Sequence, residues 1–373
     1  MKILVIPTTD WIRHPFPNRL NFIFDILSGR HDVYVLHFQL LRFRDNEPRS
    51  TSCRLIPAGW IDCEDPSLYY ISNSFIHLLK IRQVVQEEGI DVILSANVIP
   101  SLMANFVGVP IVFDYLDHLE ESASIYYPNS LLGRLVKGVV GRITRYNLHH
   151  AAEVITLTRE LKEYLGGIGV DRIHIIPNGV DTSLLLPLPK DRAKRDLGLK
   201  GPVLGYVGSL EYWVDLEMVV EALPRLDVVL LVVGPSLFTD YEERIKEIAE
   251  DFGVLDRIVF TGAVPYADLG RYISAMDIGL NPLKMMIKNE YVVGGKVFNY
   301  LSCGRPVLSS RMVALERLLG DGLYYYDDLE SFVSQVNRML NSPPSVDEER
   351  SLAKKFDWKD LAGQYEEVLR RAV

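Results

Sequence analysis

The chain repeats one pattern that narrows its fold sharply: a run of almost wholly apolar residues, then a stretch with helical periodicity, then another apolar run. In order these are KILVIP, a helix near Asn18 to Ser28, DVYVLHF, a long helix near Ser74 to Glu88, DVILSA and PIVFDYLD. A strand with one wet face alternates apolar and polar residues. These runs do not alternate, so both faces must be covered by helices, which is the situation of a parallel sheet with helical crossovers. A second series begins at PVLGYVGSL and continues through VVLLVVGP, RIVFTGAVP and IGLNPL. Pro187, Pro189 and the charged run Lys190 to Arg195 separate the two series as a linker. The expected fold is α/β, with two Rossmann-like doubly wound parallel-sheet domains at residues 1–183 and 184–354.

Composition is needed only to exclude alternatives. At 373 residues the chain has room for roughly two to three domains. It contains no run of about 18 uncharged apolar residues, and MKILVIPTTD reads as a first buried strand and not as a leader. Cys53, Cys63 and Cys303 have no metal-ligand spacing and cannot all be paired, which suits a reducing, cytoplasmic compartment. A net charge of −9 argues against general nucleic-acid binding. One stretch departs from that acidity. Between Glu121 and Glu153 there is no acidic residue, while Arg134, Lys137, Arg142 and Arg145 recur among Leu131, Leu132, Leu135, Val136, Val139, Val140 and Ile143. Such a stretch is either a peripheral contact for an anionic membrane face or an ordinary amphipathic helix of the fold, weakened by Gly133, Gly138 and Gly141.

The run EYVVGGKVFNYLSCGRPVLSS, from Glu290 to Ser310, holds the main candidate site. Gly294 and Gly295 lack a Cβ, so the backbone can turn sharply and approach a ligand closely. Val297, Tyr300 and Leu301 then follow helical spacing, Gly304 is placed to cap the helix, and Val307 and Leu308 form a strand after Pro306. Lys296 falls in the first turn, where a cation opposes the helix dipole unless an anion shares the place. The plain alternative is a loop-helix-strand unit with no ligand.

These residues carry a resemblance. KVFNYLSCGRPVLSS is similar to the K-x-x-E-Y-L-x-x-G-x-P-V segment of retaining glycosyltransferases of family 4, which have the GT-B fold and use nucleotide-sugar donors. In that family the segment ends an E-x7-E motif whose second Glu holds the donor ribose and whose first lies near the donor sugar. The matching positions here are Tyr291 and Asn299, so neither is Glu. Asn299 keeps a hydrogen bond to a ribose hydroxyl without charge assistance, and Glu290 stands one residue out of register. The family's diphosphate-clamping Arg and Lys are also absent: Ser209 follows Gly208, and Val214 stands near the lysine's place. A branch with a Y-x-G-x-x-x-x-W-x-D pattern, matched by Tyr206, Gly208, Trp213 and Asp215, shares this loss. The loop Gly262 to Pro265, with Val264, resembles the segment lining the base pocket. RIHIIPNGVDTSLLLP is similar to the passage that closes the family's first domain. The terminal FDWKDLAGQYEEVLRRAV resembles a helix, residues 355–373 here, that crosses back onto that domain.

Within the first domain, the loop TTDWIRHPFPNRL follows the first strand. Trp11, Arg13 and Arg19 there are expected either to contact acceptor or phosphate or to be packing of an aromatic loop. At the end of PIVFDYLDHLEES, Asp117 and His118 match the position of the family's catalytic region, His118 loosely and Asp117 better. Asp117 is equally a helix N-cap completed by Glu120.

The resemblance implies a metal-independent retaining hexosyltransferase using a UDP- or GDP-hexose donor, no cofactor, and a saccharide, lipid-linked or small-molecule acceptor. The donor would be held by Gly208, Ser209, Val264, Glu290, Gly294, Gly295, Lys296 and Asn299. Two alternatives stay open: a degenerate, non-catalytic nucleotide-sugar-binding or partner subunit, and an epimerase of similar two-domain fold.

Overall fold

A computed structural model describes residues 1–124 and 131–373. The chain divides into two compact units, one formed by Met1–Pro177 with Trp358–Val373 and the other by Asn178–Asp357.

The first unit is built on seven strands: β1 (Lys2–Ile6), β2 (Asp32–His37), β3 (Arg54–Pro57), β4 (Val92–Ser95), β5 (Ile111–Tyr115), β6 (Glu153–Thr156) and β7 (Ile173–Ile175). They lie in the order β3-β2-β1-β4-β5-β6-β7, and every pairing is parallel. The apolar runs are buried along their length, β5 at all five positions. Helix Arg19–Leu27 starts where Asn18 accepts from the N–H groups of Leu20 and Asn21. Helix Ser74–Glu88 stops at Gly89, whose φ of 67° belongs to the left-handed region. The terminal helix Trp358–Ala372 buries Trp358, Leu361, Tyr365, Val368 and Leu369 in one core with Leu20, Ile23, Phe24 and strand β1.

The second unit has six strands: β8 (Val203–Val207), β9 (Val229–Val233), β10 (Ile258–Phe260), β11 (Ile278–Asn281), β12 (Val307–Ser310) and β13 (Tyr324–Tyr326). Their order is β10-β9-β8-β11-β12-β13, again all parallel. In both sheets the order reverses beside the first strand, so a crevice opens at the carboxyl ends of β1 and β4 and of β8 and β11, the place where doubly wound sheets bind ligands. Among the described residues no helix is long and apolar enough to cross a membrane.

Candidate functional site

At the carboxyl edge of the second sheet, three loops are tied together through their backbones. Gly208, after β8, donates its N–H to Val233 at 2.9 Å, Leu210 donates to Pro235 at 3.0 Å, and Gly234 donates to Gly262 at 2.9 Å. Gly208 has φ 144° and Gly234 φ 133°, conformations that a side chain would strain. A Cβ on Gly234 would lie 2.1 Å from the Gly208 carbonyl oxygen, so glycine alone lets these two loops pass.

Lys296 opens the helix Lys296–Ser302 and reaches this edge. Its Nζ donates to the Tyr206 hydroxyl at 3.3 Å and stands 4.4 Å from the centre of the Tyr206 ring. A Cβ built on Gly208 would be 3.2 Å from Lys296 Cε. Lys296 and Gly208, far apart in sequence, are therefore neighbours. No described carboxylate pairs with Lys296, and burial pushes its ammonium down to about 7. Tyr206 is itself held, its hydroxyl donating to the Ser209 carbonyl at 2.7 Å. Tyr300, on the same helix as Lys296, accepts from Val207 N–H at 2.7 Å and donates to Leu280 at 3.1 Å. The helix is thus pinned to β8 and β11.

Asn299, one turn on, accepts from the Tyr266 hydroxyl at 3.4 Å, which brings it beside the segment after β10 that contains buried Val264. Gly294 and Gly295 differ from the expectation of a glycine-dependent sharp turn. Gly295 has φ −63°, neither residue has positive φ, and a Cβ on either would meet open space. The fold itself does not require glycine at either position. The Asn178 side-chain amide fixes the loop before them by donating to Val293 at 2.9 Å. Glu290 lies half-buried in the helix Ile287–Tyr291, and no hydrogen bond or ion pair among the described residues joins it to Lys296.

Sequence reasoning passed over Tyr206 and Tyr266 as functional side chains, and it did not single out Glu211. Glu211 is fully buried and accepts from the N–H groups of Leu237 and Phe238 at 3.3 and 3.2 Å. It clamps the loop after β9 to the loop after β8, and burial raises its carboxyl. The one available signal was the Y-x-G-x-x-x-x-W-x-D pattern, and the structure gives each member a job. Tyr206 supports Lys296, Gly208 takes the turn, Trp213 lies 3.9 Å under Lys288 Nζ, and Asp215 caps the helix Leu216–Ala222.

In the first unit the candidates separate. Trp11 is buried and donates to Thr51 at 3.1 Å. Arg19 is buried with its Nε 3.6 Å from Asp114, its Nη2 donating to the Ile176 carbonyl at 2.9 Å, and its guanidinium over the Tyr365 ring. Trp11 and Arg19 are thus packed inside the unit, although Arg19 Nη1 has no hydrogen-bond partner among the described residues. Arg13 is half-buried, and its N–H donates to Asp10 at 2.9 Å. Asp117 accepts from His118 N–H at 2.8 Å and from Ser122 Oγ at 2.6 Å. His118 is buried with its ring 4.6 Å from that of Tyr164, and Glu120 accepts from both Tyr115 and Tyr164 at 3.0 and 2.6 Å.

The fold and this loop arrangement define a two-domain GT-B glycosyltransferase scaffold. Residues 27–184 match the profile described as Glycosyltransferase Family 4, and residues 201–342 match the one described as Glycosyl transferases group 1. The chain belongs to glycosyltransferase family 4. It is 27% identical over 205 residues to the putative teichuronic acid biosynthesis glycosyltransferase TuaH of Bacillus subtilis, covering 52% of this chain and 50% of that protein. It is 29% identical over 293 residues to 2-deoxystreptamine glucosyltransferase of Streptomyces kanamyceticus, covering 71% of this chain and 73% of that one. The chain spans about half the length of several of the curated relatives it matches. Among solved structures it resembles Anabaena Alr3699/HepE in complex with UDP-glucose, with a TM-score of 0.75, 17% identity and 99% of each chain covered.

Proposed function

We propose that this protein is a retaining hexosyltransferase that moves a hexose from a UDP- or GDP-sugar to an acceptor hydroxyl, with the donor diphosphate lying against Lys296 and the Gly208 loop. One observation carries the reading. Lys296 is a partly buried cation with no carboxylate partner among the described residues, held by Tyr206 at the ligand-binding edge of a doubly wound sheet. A diphosphate supplies the missing counter-charge, and the charge building on the leaving group would be stabilised there by the ammonium. The two glycines before Lys296, which the fold does not need, leave room for the phosphate to approach. Asn299 is assigned to the ribose. The relative of known glucosyltransferase name and the UDP-glucose complex of the HepE structure support a hexose nucleotide as donor. The acceptor is a hydroxyl on a saccharide, a lipid-linked carrier or a small molecule.

A second reading, a nucleotide-sugar-binding subunit without catalysis, is favoured by Tyr and Asn at positions 291 and 299, where the family carries Glu. Incubation with a panel of UDP- and GDP-hexoses, with nucleoside diphosphate release as readout, separates the two. Release from one donor, accelerated by an acceptor, is the result expected of the enzyme. Binding of a nucleotide sugar without release at any acceptor tried would support the second reading.

A further inference from the structure

The helix Leu131–His150 exposes more apolar side chain than a helix whose surroundings are water alone. Its inner side is mixed, with Val136, Val140 and Ile143 half-buried beside small and polar residues. Gly133, Thr144, Asn147 and Leu148 are the buried ones, and Asn147 donates to Val98 at 2.9 Å while accepting from Asn105 at 3.0 Å. Its outer side carries the large apolar residues: Leu131 is 78% exposed, Leu135 63% and Val139 45%. At 3.6 residues per turn, these three share an arc of roughly 140° with exposed Arg134, Arg142 and Arg145. A soluble helix places its apolar stripe inward. Here leucine and arginine stand together on the outside.

Further apolar side chains are exposed on neighbouring elements. Helix Ile99–Ala104 is joined to Leu131–His150 through the Asn105–Asn147 bond, and Phe106 just beyond it is 54% exposed. Helix Ser74–Glu88 reaches the same place, Arg82 donating to the Phe106 carbonyl at 3.5 Å, and exposes Phe75 and Leu79. Leu131, Leu132, Leu135 and Val139 on one helix expose more apolar surface than the scattered single residues that a soluble monomer normally shows.

Charge identifies what covers it. No acidic residue occurs between Glu121 and Glu153. Lys137 is spent on Glu121, but no described carboxylate forms an ion pair with Arg134, Arg142 or Arg145. On a chain of net charge −9 this is a local basic face with apolar side chains set among the arginines. We infer that the helix Leu131–His150 docks the protein on an anionic lipid bilayer. The leucines would enter the headgroup boundary, and the arginines would reach the lipid phosphates along their apolar stems. The inference stands on this surface alone and does not depend on the donor site.

The test is co-sedimentation with vesicles of phosphatidylcholine containing phosphatidylglycerol, against vesicles of phosphatidylcholine alone. Binding to the first and not the second is expected. A triple variant Arg134→Gln, Arg142→Gln, Arg145→Gln should lose about a hundredfold in partitioning, at about fivefold per basic side chain near an anionic surface. A triple variant Leu131→Ser, Leu135→Ser, Val139→Ser keeps the charge and should also lose binding. Thermal unfolding of both variants, monitored by circular dichroism, should match the parent. Three results overturn the inference: equal binding to neutral vesicles, an undiminished affinity in the leucine variant, or a dimer in sedimentation velocity that the leucine variant abolishes. The last would mean that a second copy covers the face.

Discussion

The ammonium of Lys296 has an aromatic ring and a phenol oxygen for neighbours and no described carboxylate, so its loss of hydration is not offset and its charged form is held to about pH 7. The consequence for ligand binding has a definite sign. An anion favours the protonated amine, so the bound-state pKa lies above the free one. Below about pH 7 the amine is charged in both states and its own contribution to the pH dependence is flat. Above about 7, affinity for a nucleoside diphosphate should fall with rising pH, by up to about tenfold per unit. Titrations of UDP and GDP between pH 6 and 9 in buffers of different ionisation enthalpy should also show proton uptake above pH 7. A flat profile would mean that Lys296 does not titrate with the ligand. The same depressed pKa acts on stability. The unfolded chain binds this proton more tightly, so the group makes the protein more stable as pH rises from about 7 toward 10. At this scale the sequence showed the lysine and not its holder, because Tyr206 lies 90 residues away. Trp11 and Arg19 were ambiguous for a related reason. An aromatic and a basic residue look the same in sequence whether they face a ligand or a core, and the meeting of Arg19 with Asp114 and Tyr365 is visible only in the fold.

At the scale of elements the sequence was far more legible. A run such as VLLVV has one physical solution, burial on both faces, and β9 adopts it. Helix Ser74–Glu88 was readable to its ends because Gly89 can take the left-handed turn that stops it. Loop connections were less legible, since the bonds that tie the loops after β8, β9 and β10 are main-chain and leave no periodic trace. The terminal helix is the element whose placement tests best. Trp358 stacks on Phe22 at 5.5 Å, Tyr365 donates to buried Asp114, and Glu366 lies 3.0 Å from Arg30 and 3.1 Å from His31. Trp358→Ala removes a buried indole and should destabilise the first unit by about 3 to 5 kcal/mol. Urea unfolding measures this, and a change below about 1 kcal/mol would show that the helix is not part of that unit's core.

For the whole molecule, two parallel sheets with the same order of connections give two crevices of the same kind, and the chain has furnished them differently. At the strand ends of the first unit two carboxylates accept from neighbouring hydroxyls: Asp117 from Ser122, and Glu120 from Tyr115 and Tyr164. The second unit leaves a cation without a carboxylate partner. The proposed donor site rests on that cation, although the family's usual Glu, Arg and Lys are absent there. The central claim is the phosphate site at Lys296, and calorimetric titration of Lys296→Ala and Asn299→Ala with UDP and GDP tests it most directly. A charge-assisted contact contributes about 1.5 to 3 kcal/mol, so Lys296→Ala should weaken the preferred nucleotide by about ten- to more than a hundredfold. Asn299→Ala loses an uncharged contact of about 1 kcal/mol and should weaken it by only about fivefold. Unchanged affinity in Lys296→Ala, with its fold intact by circular dichroism, would contradict the account and put the phosphate site elsewhere.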